Sequence, residues 1–327
     1  MPYFSARVPP EYTENERLDK YIASLPNGMN RSKLKSGVTE ILINGKKSKL
    51  SQKVKSGDVI DIEWEDNIPD NIEPEDIPLD IIYEDENVTV VNKPQGMVTH
   101  PACGNWDGTL VNALLFHWGR QAIAQAKEVS DAQLLMQRRP GIVHRLDKET
   151  SGIIITAKNR DTEEWLGAQF KSHKLRKEYI CIVKGRPPAV AGDIRTQIIR
   201  DPKDRKRFKA VTDTTEGKYA RTIYHCISSY GNYTLVRVRI KTGRTHQIRV
   251  HMKYLGCPIV GDPVYNRPDP LFPNETLMLH SKLLQITLPD GQTKTFITPT
   301  PRRFLAMEKK LKNKYPKKQD KYTVAKE

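Results

Sequence analysis

The sequence predicts an α+β protein with a mixed, largely antiparallel central sheet flanked by helices and loops, preceded by a small α/β domain. Short runs of alternating apolar and polar residues recur between about residues 81 and 307, which is typical of strands with one buried face. Helical segments interleave with these runs irregularly, which favours a mixed or antiparallel sheet over a doubly wound one. Residues 13–65 carry helix and strand signals of their own.

A strong positive charge restricts the class of partner. The 327 residues include 54 Lys and Arg against 39 Asp and Glu, which gives a formal net charge of +15. Such a field attracts polyanions, so nucleic acid and anionic membrane surfaces are candidates, and a merely basic soluble protein is the alternative. No apolar run approaches the roughly 20 residues of a membrane span. The charge therefore favours nucleic acid.

Cysteine usage and the N-terminus predict a cytoplasmic protein. The four cysteines lie far apart and form no CxxC pair, which argues against a structural zinc site and a disulfide scaffold. The N-terminus has no basic start followed by an apolar core, so we expect no signal peptide. We also expect no cofactor and no metal, because the chain has no phosphate-binding loop, dinucleotide fingerprint or HExxH motif.

The first unit, residues 13–65, is predicted to be small, mixed and basic. Apolar residues at helical spacing in RLDKYIASL predict one helix, and a second is expected from about residue 31 to 42. The runs ILINGKK and GDVIDIEW predict two strands, with Asn44-Gly45 as a hairpin turn. Three cations near the start of the second helix are expected to contact nucleic acid: Arg31, Lys33 and Lys35.

Two charged segments flank the larger predicted domain, residues 81–307. Residues 66–80 carry six acidic residues and three prolines, which forbid a continuous helix and predict a linker. Residues 308–327 hold eight lysines and little apolar content, so we expect a frayed basic tail.

Six strands and two helices are predicted in the larger domain. In the strand YTLVRVRIK, Val236, Val238 and Ile240 point to one face, and the basic residues between them point to the other. Helical spacing predicts helices over residues 162–173 and 245–255. The predicted strands cover residues 87–93, 151–158, 177–185, 220–227, 233–241 and 284–289.

The densest polar cluster is GIVHRLDKETSG, residues 141–152, which lies between two apolar runs. His144 and Arg145 stand beside Asp147, and nearby positive charge favours the ionised form of a carboxyl group. An ionised aspartate can act as a nucleophile or a base. The alternative is a turn with a structural ion pair, and the local pattern leaves both interpretations open.

A second cluster, KTGRTHQIRVH, follows the alternating strand and opens a helix. Gly243 permits a tight turn, and the N–H groups at a helix start suit an anion such as phosphate. Arg244, His246 and Arg249 add further hydrogen-bond donors. The alternative is that the histidines are structural and that Arg249 is a surface charge.

A basic run over residues 200–209 contains Pro202 and charges of both signs, which favour a loop or hairpin. Its one aromatic residue, Phe208, could stack on a nucleic-acid base. The alternative is a solvated charged hairpin. Three of its cations are expected to contact nucleic acid: Arg205, Lys206 and Arg207.

Long blocks of the sequence resemble a known family. GIVHRLDKETSGIIITAK closely resembles the catalytic signature of the RluA family of pseudouridine synthases. Four further blocks resemble that family in the same order, from about residue 81 to 300: VVNKPQGMVTHP, KEYICIVKG, GRTHQIRVH with GCPIVGDPVY, and LMLHSKLLQITLP. Residues 13–65 resemble an S4-type RNA-binding domain. The resemblance implies the pseudouridine synthase fold and an isomerase that acts on structured RNA without a cofactor or metal.

The resemblance also implies roles for individual residues. Asp147 matches the family's catalytic aspartate, Tyr179 the tyrosine that stacks on the base and can take the proton from C5, and Arg249 the arginine that pairs with the aspartate. We expect the fork of Arg249 to meet both oxygens of Asp147. Further residues are expected to bind the nucleotide: Arg145, His144, Arg244, His246 and Lys93.

An S4-type domain joined to this catalytic block implies large-subunit ribosomal RNA as the substrate. A transfer RNA substrate and a non-catalytic RNA-binding or chaperone protein are the alternatives. Intact Asp147, Tyr179 and Arg249 count against a pure binder, which would not need all three. We expect a monomer that holds the RNA mainly through its phosphates.

Overall fold

The computed structural model describes residues 3–25, 34, 38–64, 71–102, 104–124, 141–204, 206–212, 214–316 and 319–321. The chain divides into two compact units, Met1–Asp70 and Asn71–Glu327. Each unit contains a sheet of its own.

In its described residues, the first unit combines helix α1, Leu18–Ser24, with a four-stranded antiparallel sheet. Its described elements are β1 Tyr3–Arg7, α1 Leu18–Ser24, β2 Val38–Ile43, β3 Lys46–Lys47 and β4 Val59–Trp64. The strands lie in the order β1-β4-β2-β3. Leu18 and Ile22 lie one turn apart on α1 and are fully buried in one core with Ile60 and Ile62 of β4.

The hairpin predicted at Asn44-Gly45 is confirmed, because both residues have positive φ, 54° and 73°, between β2 and β3. The second predicted helix is wrong from residue 38 onward, where β2 pairs with β4. The run VTEILI there is rich in β-branched and apolar residues, which fit a half-buried sheet. Strand β1 was not predicted. Arg31, Lys33 and Lys35 lie outside the described residues.

The second unit is built on a sheet of eleven strands within the described residues. The strands of this unit are β5 Asn71–Ile72, β6 Ile81–Glu84, β7 Val88–Lys93, β8 Ile123–Ala124, β9 Ser151–Ala157, β10 Arg176–Lys184, β11 Ala191–Arg200, β12 Phe208–Val211, β13 Lys218–Tyr230, β14 Tyr233–Ile240, β15 Leu279–Thr287, β16 Thr293–Ile297 and β17 Gln319–Lys321.

The large sheet has the order β12-β11-β13-β14-β10-β15-β9-β7-β6, with β16 paired to β15 and β17 paired to β13. All paired neighbours are antiparallel except β15 and β9, which run parallel. The predicted mixed, largely antiparallel sheet and its six predicted strands are confirmed. In β14, Val236, Val238 and Ile240 are buried, whereas the intervening Arg237 and Arg239 are partly exposed.

Four described helices flank this sheet: α2 Leu110–His117, α3 Arg160–Ser172, α4 Gln247–Tyr254 and α5 Arg302–Lys314. The predicted helices over residues 162–173 and 245–255 are confirmed as α3 and α4. The side chain of Asn159 caps α3 by accepting a hydrogen bond from the backbone of Thr162. The same helix ends at His173, which has a left-handed φ of 57°.

The small sheet of β5 and β8 attaches residues 71–72 to the second unit. Ile72 is buried against Val111 and Leu115 of α2. The compact units divide at Asp70, so residues 71–80, predicted as part of a linker, are built into the second unit. One buried isoleucine anchors this otherwise acidic stretch.

Helix α5 replaces the first part of the predicted basic tail. Residues 308–314, for which the sequence predicts a frayed end, form the second half of this helix. Phe304, Met307 and Leu311 recur every three to four residues and are fully buried in the main core. The Tyr230 hydroxyl donates to Glu308 at 2.8 Å. The lysines of α5 lie on its exposed side.

In the part of the chain that the structure describes, no helix is both long and apolar enough to cross a membrane. The same residues contain no group of three or more His, Cys, Asp or Glu placed to hold a metal ion. Cys181, Cys226 and Cys257 are buried and form no disulfide. Cys103 lies outside the described residues.

Candidate active site

A cavity of about 580 Å³ lies beside the first half of β10. Three further segments line it: the loop before β9, the C-terminal end of α3, and the turn that leads into α4. These segments meet because β10 pairs with β14, and the chain passes from β14 into that turn. Seven of the predicted residues line the cavity: Asp147, Tyr179, Arg249, Arg145, His144, Arg244 and His246.

Asp147 lies in the loop that leads into β9. Its backbone oxygen accepts a hydrogen bond from Thr150 N at 3.0 Å, which closes a turn. The preceding residue, Leu146, is buried, and its carbonyl accepts a hydrogen bond from the Thr99 hydroxyl at 3.1 Å. The Asp147 side chain is 21% exposed. The carboxylate therefore faces the cavity while its backbone is fixed.

Lys93 supports this loop from behind and does not line the cavity. Its side chain is fully buried and donates to the carbonyls of Pro94 at 2.9 Å, Met97 at 2.8 Å and Lys148 at 3.4 Å. Burial lowers the pKa of Lys93 to about 8, although the charge of Asp147 acts in the opposite direction. Lys93 is therefore placed to fix the backbone beside Asp147, and not to contact a nucleotide as predicted.

Arg249 joins two carboxylates, and its bidentate partner differs from the predicted one. Its Nε and Nη2 each donate to Asp262 at 2.8 Å, whereas Nη1 reaches Asp147 Oδ2 at 3.4 Å. Asp262 also accepts the backbone N–H groups of Val264 and Tyr265 at 2.9 Å. The prediction that the fork of Arg249 meets both oxygens of Asp147 is wrong, because Asp262 occupies that fork.

The opposite charges of Arg249 and Asp262 stabilise each other in the protein interior. Burial alone would raise the pKa of Asp262, but the hydrogen bonds and charge of Arg249 lower it below its usual value. Burial would likewise lower the pKa of Arg249, and the contact with Asp262 raises it instead. The guanidinium lies 5.2 Å from the centre of the Tyr265 ring. Arg249 is therefore held rigidly before any ligand binds.

His246 approaches Asp147 from the same side. Its Nε2 lies 3.8 Å from Asp147 Oδ2, and its Nδ1 lies 2.8 Å from the Tyr265 hydroxyl. That hydroxyl accepts the backbone N–H of Phe208, so its own proton can be donated to Nδ1. Burial lowers the pKa of His246, against the effect of Asp147. A neutral imidazole with its proton on Nε2, facing Asp147, satisfies all these contacts.

Tyr179 lies on β10 in the middle of the sheet, opposite Val238 of β14 and Ser281 of β15. Its ring is buried, and its hydroxyl is hydrogen-bonded with the Ser281 side chain. Burial raises the pKa of Tyr179 to about 12. Tyr179 is therefore a neutral phenol at neutral pH, which suits stacking on a base better than accepting a proton.

The remaining predicted nucleotide contacts differ in character. His144 stacks on Phe170 with ring centres 4.4 Å apart, and its Nε2 accepts the backbone N–H of Ile155 at 3.0 Å. Burial lowers the pKa of His144 to about 3, so the imidazole is neutral. Arg145 is exposed at the cavity mouth. Arg244 donates from Nε to the carbonyl of Tyr219 at 3.0 Å.

The described residues of the basic run, 200–204 and 206–209, lie at the end of β11, in the connection to β12 and at the start of β12. Lys206 is exposed, and Arg207 pairs with Asp204 at 3.2 Å. Phe208 lies below the guanidinium of Arg200 and edge-on to His246, with ring centres 5.8 Å apart. Phe208 therefore links this hairpin to a residue of the cavity lining. Arg205 lies outside the described residues.

Two residues important for the geometry were not singled out from the sequence. Asp262 lies in the block GCPIVGDPVY, beside Gly261, whose φ is 71°. A Cβ atom on Gly261 would lie 2.1 Å from the carbonyl oxygen of Thr276, so this glycine allows the close approach. Lys177 lines the cavity on β10, two residues before Tyr179. The GD pair was a usable signal for Asp262, whereas Lys177 resembles any strand lysine.

Comparison with known families agrees with this site. A model for the family described as RNA pseudouridylate synthase matches residues 87–254, which include Asp147, Tyr179 and Arg249. The chain belongs to this family, whose members are isomerases acting on RNA.

Particular relatives extend the match beyond the catalytic residues. Ribosomal large subunit pseudouridine synthase D of Borreliella burgdorferi is 44% identical over 308 residues, 91% of each chain. The protein of the same description from Zymomonas mobilis is 41% identical over 255 residues, 77% of each chain. The solved structure of human RNA pseudouridylate synthase domain containing 1 shares the fold, with a TM-score of 0.57 at 22% identity over 76% of this chain and 91% of that one.

Proposed function

We propose that the chain isomerises uridine to pseudouridine in large-subunit ribosomal RNA, with Asp147 as the catalytic carboxylate. The position of Asp147 carries the proposal: it is the one carboxylate among the cavity-lining residues, and its Oδ2 lies 3.4 Å from Arg249 and 3.8 Å from His246. The two relatives described as large subunit pseudouridine synthase D support the ribosomal substrate.

The reaction exchanges one bond for another without changing composition. The N1–C1′ bond breaks, the uracil turns, and the C5–C1′ bond forms. C5 loses its proton and N1 gains one. The carboxylate of Asp147 supplies the nucleophile or the base that this sequence of steps requires. The target nucleotide must leave its stack to reach the cavity, so new contacts have to replace those that it loses.

We assign the neighbouring side chains to aiming and stacking. Asp262 binds Nε and Nη2 of Arg249, which leaves Nη1 directed at Asp147. A fixed donor stabilises developing charge without reorganising during the reaction. Tyr179 stacks on the uracil as a neutral phenol.

RNA binding is assigned to surfaces on both units. The unit of residues 13–65 is proposed to be an S4-like RNA-binding domain, with Arg31, Lys33 and Lys35 contacting phosphates. On the catalytic domain, Arg145 at the cavity mouth contacts the target nucleotide, and the hairpin cations contact the flanking RNA: Arg205, Lys206 and Arg207. The protein is proposed to act as a cytoplasmic monomer without a metal or cofactor.

Pseudouridine mapping of total RNA tests the substrate. Strains with and without the gene are compared at every uridine of ribosomal and transfer RNA. We expect one or a few large-subunit ribosomal positions to lose pseudouridine without the gene and to regain it when the gene is restored. Loss confined to transfer RNA would contradict the ribosomal substrate, and an unchanged map would contradict the activity.

A further inference from the structure

Lys177 is a buried cation that the chemistry described above does not use. It lies on β10 two residues before Tyr179, so both side chains point to one face of the strand and both line the cavity. Lys177 is only 9% exposed. Among the described residues, its ammonium group has no hydrogen bond and no ion pair. A buried charge without a partner is costly, which points to a partner from outside the chain.

Among the residues that the structure describes, the surroundings of Lys177 offer an aromatic face and no carboxylate. Its Nζ lies 5.4 Å from the centre of the Phe170 ring, and that ring stacks on His144. Burial first, and the charge of Lys177 second, keep the pKa of His144 low, so that the imidazole stays neutral. Lys177 is therefore a fixed positive charge on the side of the cavity that Phe170 and His144 line.

An open approach to Lys177 passes Gly243. A Cβ atom built on Gly243 would lie 3.6 Å from Lys177 Nζ, and Gly243 itself is exposed. The φ of Gly243 lies outside the left-handed region, so its backbone conformation does not require a glycine. The missing side chain instead leaves the ammonium group accessible from the cavity.

The cavity lining as a whole is suited to an anion. Its one carboxylate is Asp147, against five cationic side chains: Arg145, Lys171, Lys177, Arg244 and Arg249. Of these, Arg249 is already paired with Asp262, and Arg244 uses Nε on a backbone carbonyl. Lys177 has all three of its N–H donors available for a ligand.

We propose that Lys177, together with Arg244, binds a phosphodiester group directly flanking the target uridine. This inference rests on the proposed function, because the extruded nucleotide brings its own phosphates into the cavity. Phosphate oxygens are acceptors with a negative charge, which is what an unpaired ammonium group requires. Burial lowers the pKa of Lys177 to about 8 in the unbound protein, and a bound phosphate would raise it again.

A methylphosphonate scan tests the subsite directly. RNA stem-loops that carry the mapped uridine are made with one neutral methylphosphonate at a time, and kcat/KM is measured for each. For the wild type we expect a loss of about tenfold at one position beside the uridine, because one charge-assisted contact disappears. Lys177→Met should lose about tenfold on the unmodified RNA and show no further loss at that position.

Two further variants distinguish the loss of a positive charge from the loss of access to Lys177. Lys174→Met removes a charge from an exposed residue outside the cavity lining and should respond to every methylphosphonate as the wild type does. Gly243→Leu keeps every charge but covers Lys177, so it should lose sensitivity at the same position as Lys177→Met. We also expect Lys177→Met not to lower the melting temperature, because it removes an unpaired buried charge.

The possible outcomes distinguish a failure of the phosphate subsite from a failure of the proposed function. Wild-type protein that isomerises no RNA would overturn the function. If the wild type is active but its kcat/KM falls at no methylphosphonate position, the phosphate subsite alone would be overturned. If Lys177→Met loses rate yet stays fully sensitive at the critical position, Lys177 binds another group, such as a uracil carbonyl. A marked fall in melting temperature would show instead that Lys177 stabilises the fold.

Discussion

Across the described ranges, charged groups are paired within the protein at one end of the cavity and unpaired at the other. At one end Asp147 faces Arg249, which is held by Asp262, and Asp262 is held in turn by two backbone N–H groups. At the other end Lys177 is buried with no anion beside it among the described residues. The first end is electrostatically complete before RNA arrives, and the second becomes complete only when RNA binds.

This difference follows from the work that each end performs. A catalytic carboxylate acts best when its partners are already fixed, because they then need no reorganisation as charge develops. A binding group gains from the opposite arrangement, since an unpaired ammonium group forms its best contact only with the ligand. The unpaired Lys177 therefore favours RNA binding at a cost to the stability of the unbound protein.

Asp262→Asn should disrupt the end of the cavity that contains Asp147 and Arg249. We expect its effect to be larger than that of a change at Lys177. The change leaves the buried guanidinium of Arg249 without its bidentate anion, and breaking such a pair typically costs about 3–5 kcal/mol. We expect a lower melting temperature and a loss of kcat of about a hundredfold, because a displaced Arg249 no longer aims at Asp147. Thermal unfolding and single-turnover kinetics measure the two effects.

Asp193→Asn is the matched control, because Asp193 also pairs with arginines, Arg195 and Arg221, but at the surface. Exposed pairs contribute about 1 kcal/mol or less. We expect little change in either stability or kcat. If Asp262→Asn changed stability and kcat as little as Asp193→Asn, the pair of Asp262 with Arg249 would contribute no more than a surface pair, which would contradict a preorganised partner for Asp147.

A smaller effect on stability, with a defined pH dependence, is expected at the Lys177 end. The folded-state pKa of Lys177 is about 8, below the ordinary 10.5. Between these pH values the unfolded chain binds the proton that the folded protein has released, so the stability of the wild type relative to Lys177→Met rises with pH. The rise is at most about 3 kcal/mol, from 1.36 kcal/mol per pKa unit.

Urea unfolding of both proteins from pH 7 to pH 10.5 measures this difference. Lys93 also has a lowered pKa, but it is present in both proteins and cancels in the comparison. A difference in unfolding free energy that stays constant with pH would mean that Lys177 is solvated in the folded state.

Regular periodicity explains which elements could be predicted. The alternation of Val236, Val238 and Ile240 identifies β14 from the sequence because period two has one structural meaning. In α5, Leu311 was outweighed by the count of lysines in residues 308–327, although its spacing from Phe304 is helical. Charge content describes the exposed side of a helix and says little about its buried side.

The residues of the site could be predicted from the sequence, but the carboxylate that pairs with Arg249 could not. Asp147, Tyr179 and Arg249 were each identified from a motif, and the cavity brings them together. The choice of Asp262 as the bidentate partner of Arg249 depends on how the turn after α4 folds back. A local motif carries no information about which of two carboxylates arrives at the better angle. Lys177 was missed because its burial arises only from tertiary packing.

Tritium release from RNA labelled at C5 of uridine tests the role of Asp147 most directly, since the C5 proton leaves only when isomerisation occurs. Asp147→Asn should reduce the single-turnover rate by at least about a thousandfold while RNA affinity changes only a few-fold. Asp161→Asn, on the exposed face of α3, should match the wild type. Release by Asp147→Asn at a rate close to that of the wild type would contradict the assignment of Asp147 as the catalytic carboxylate.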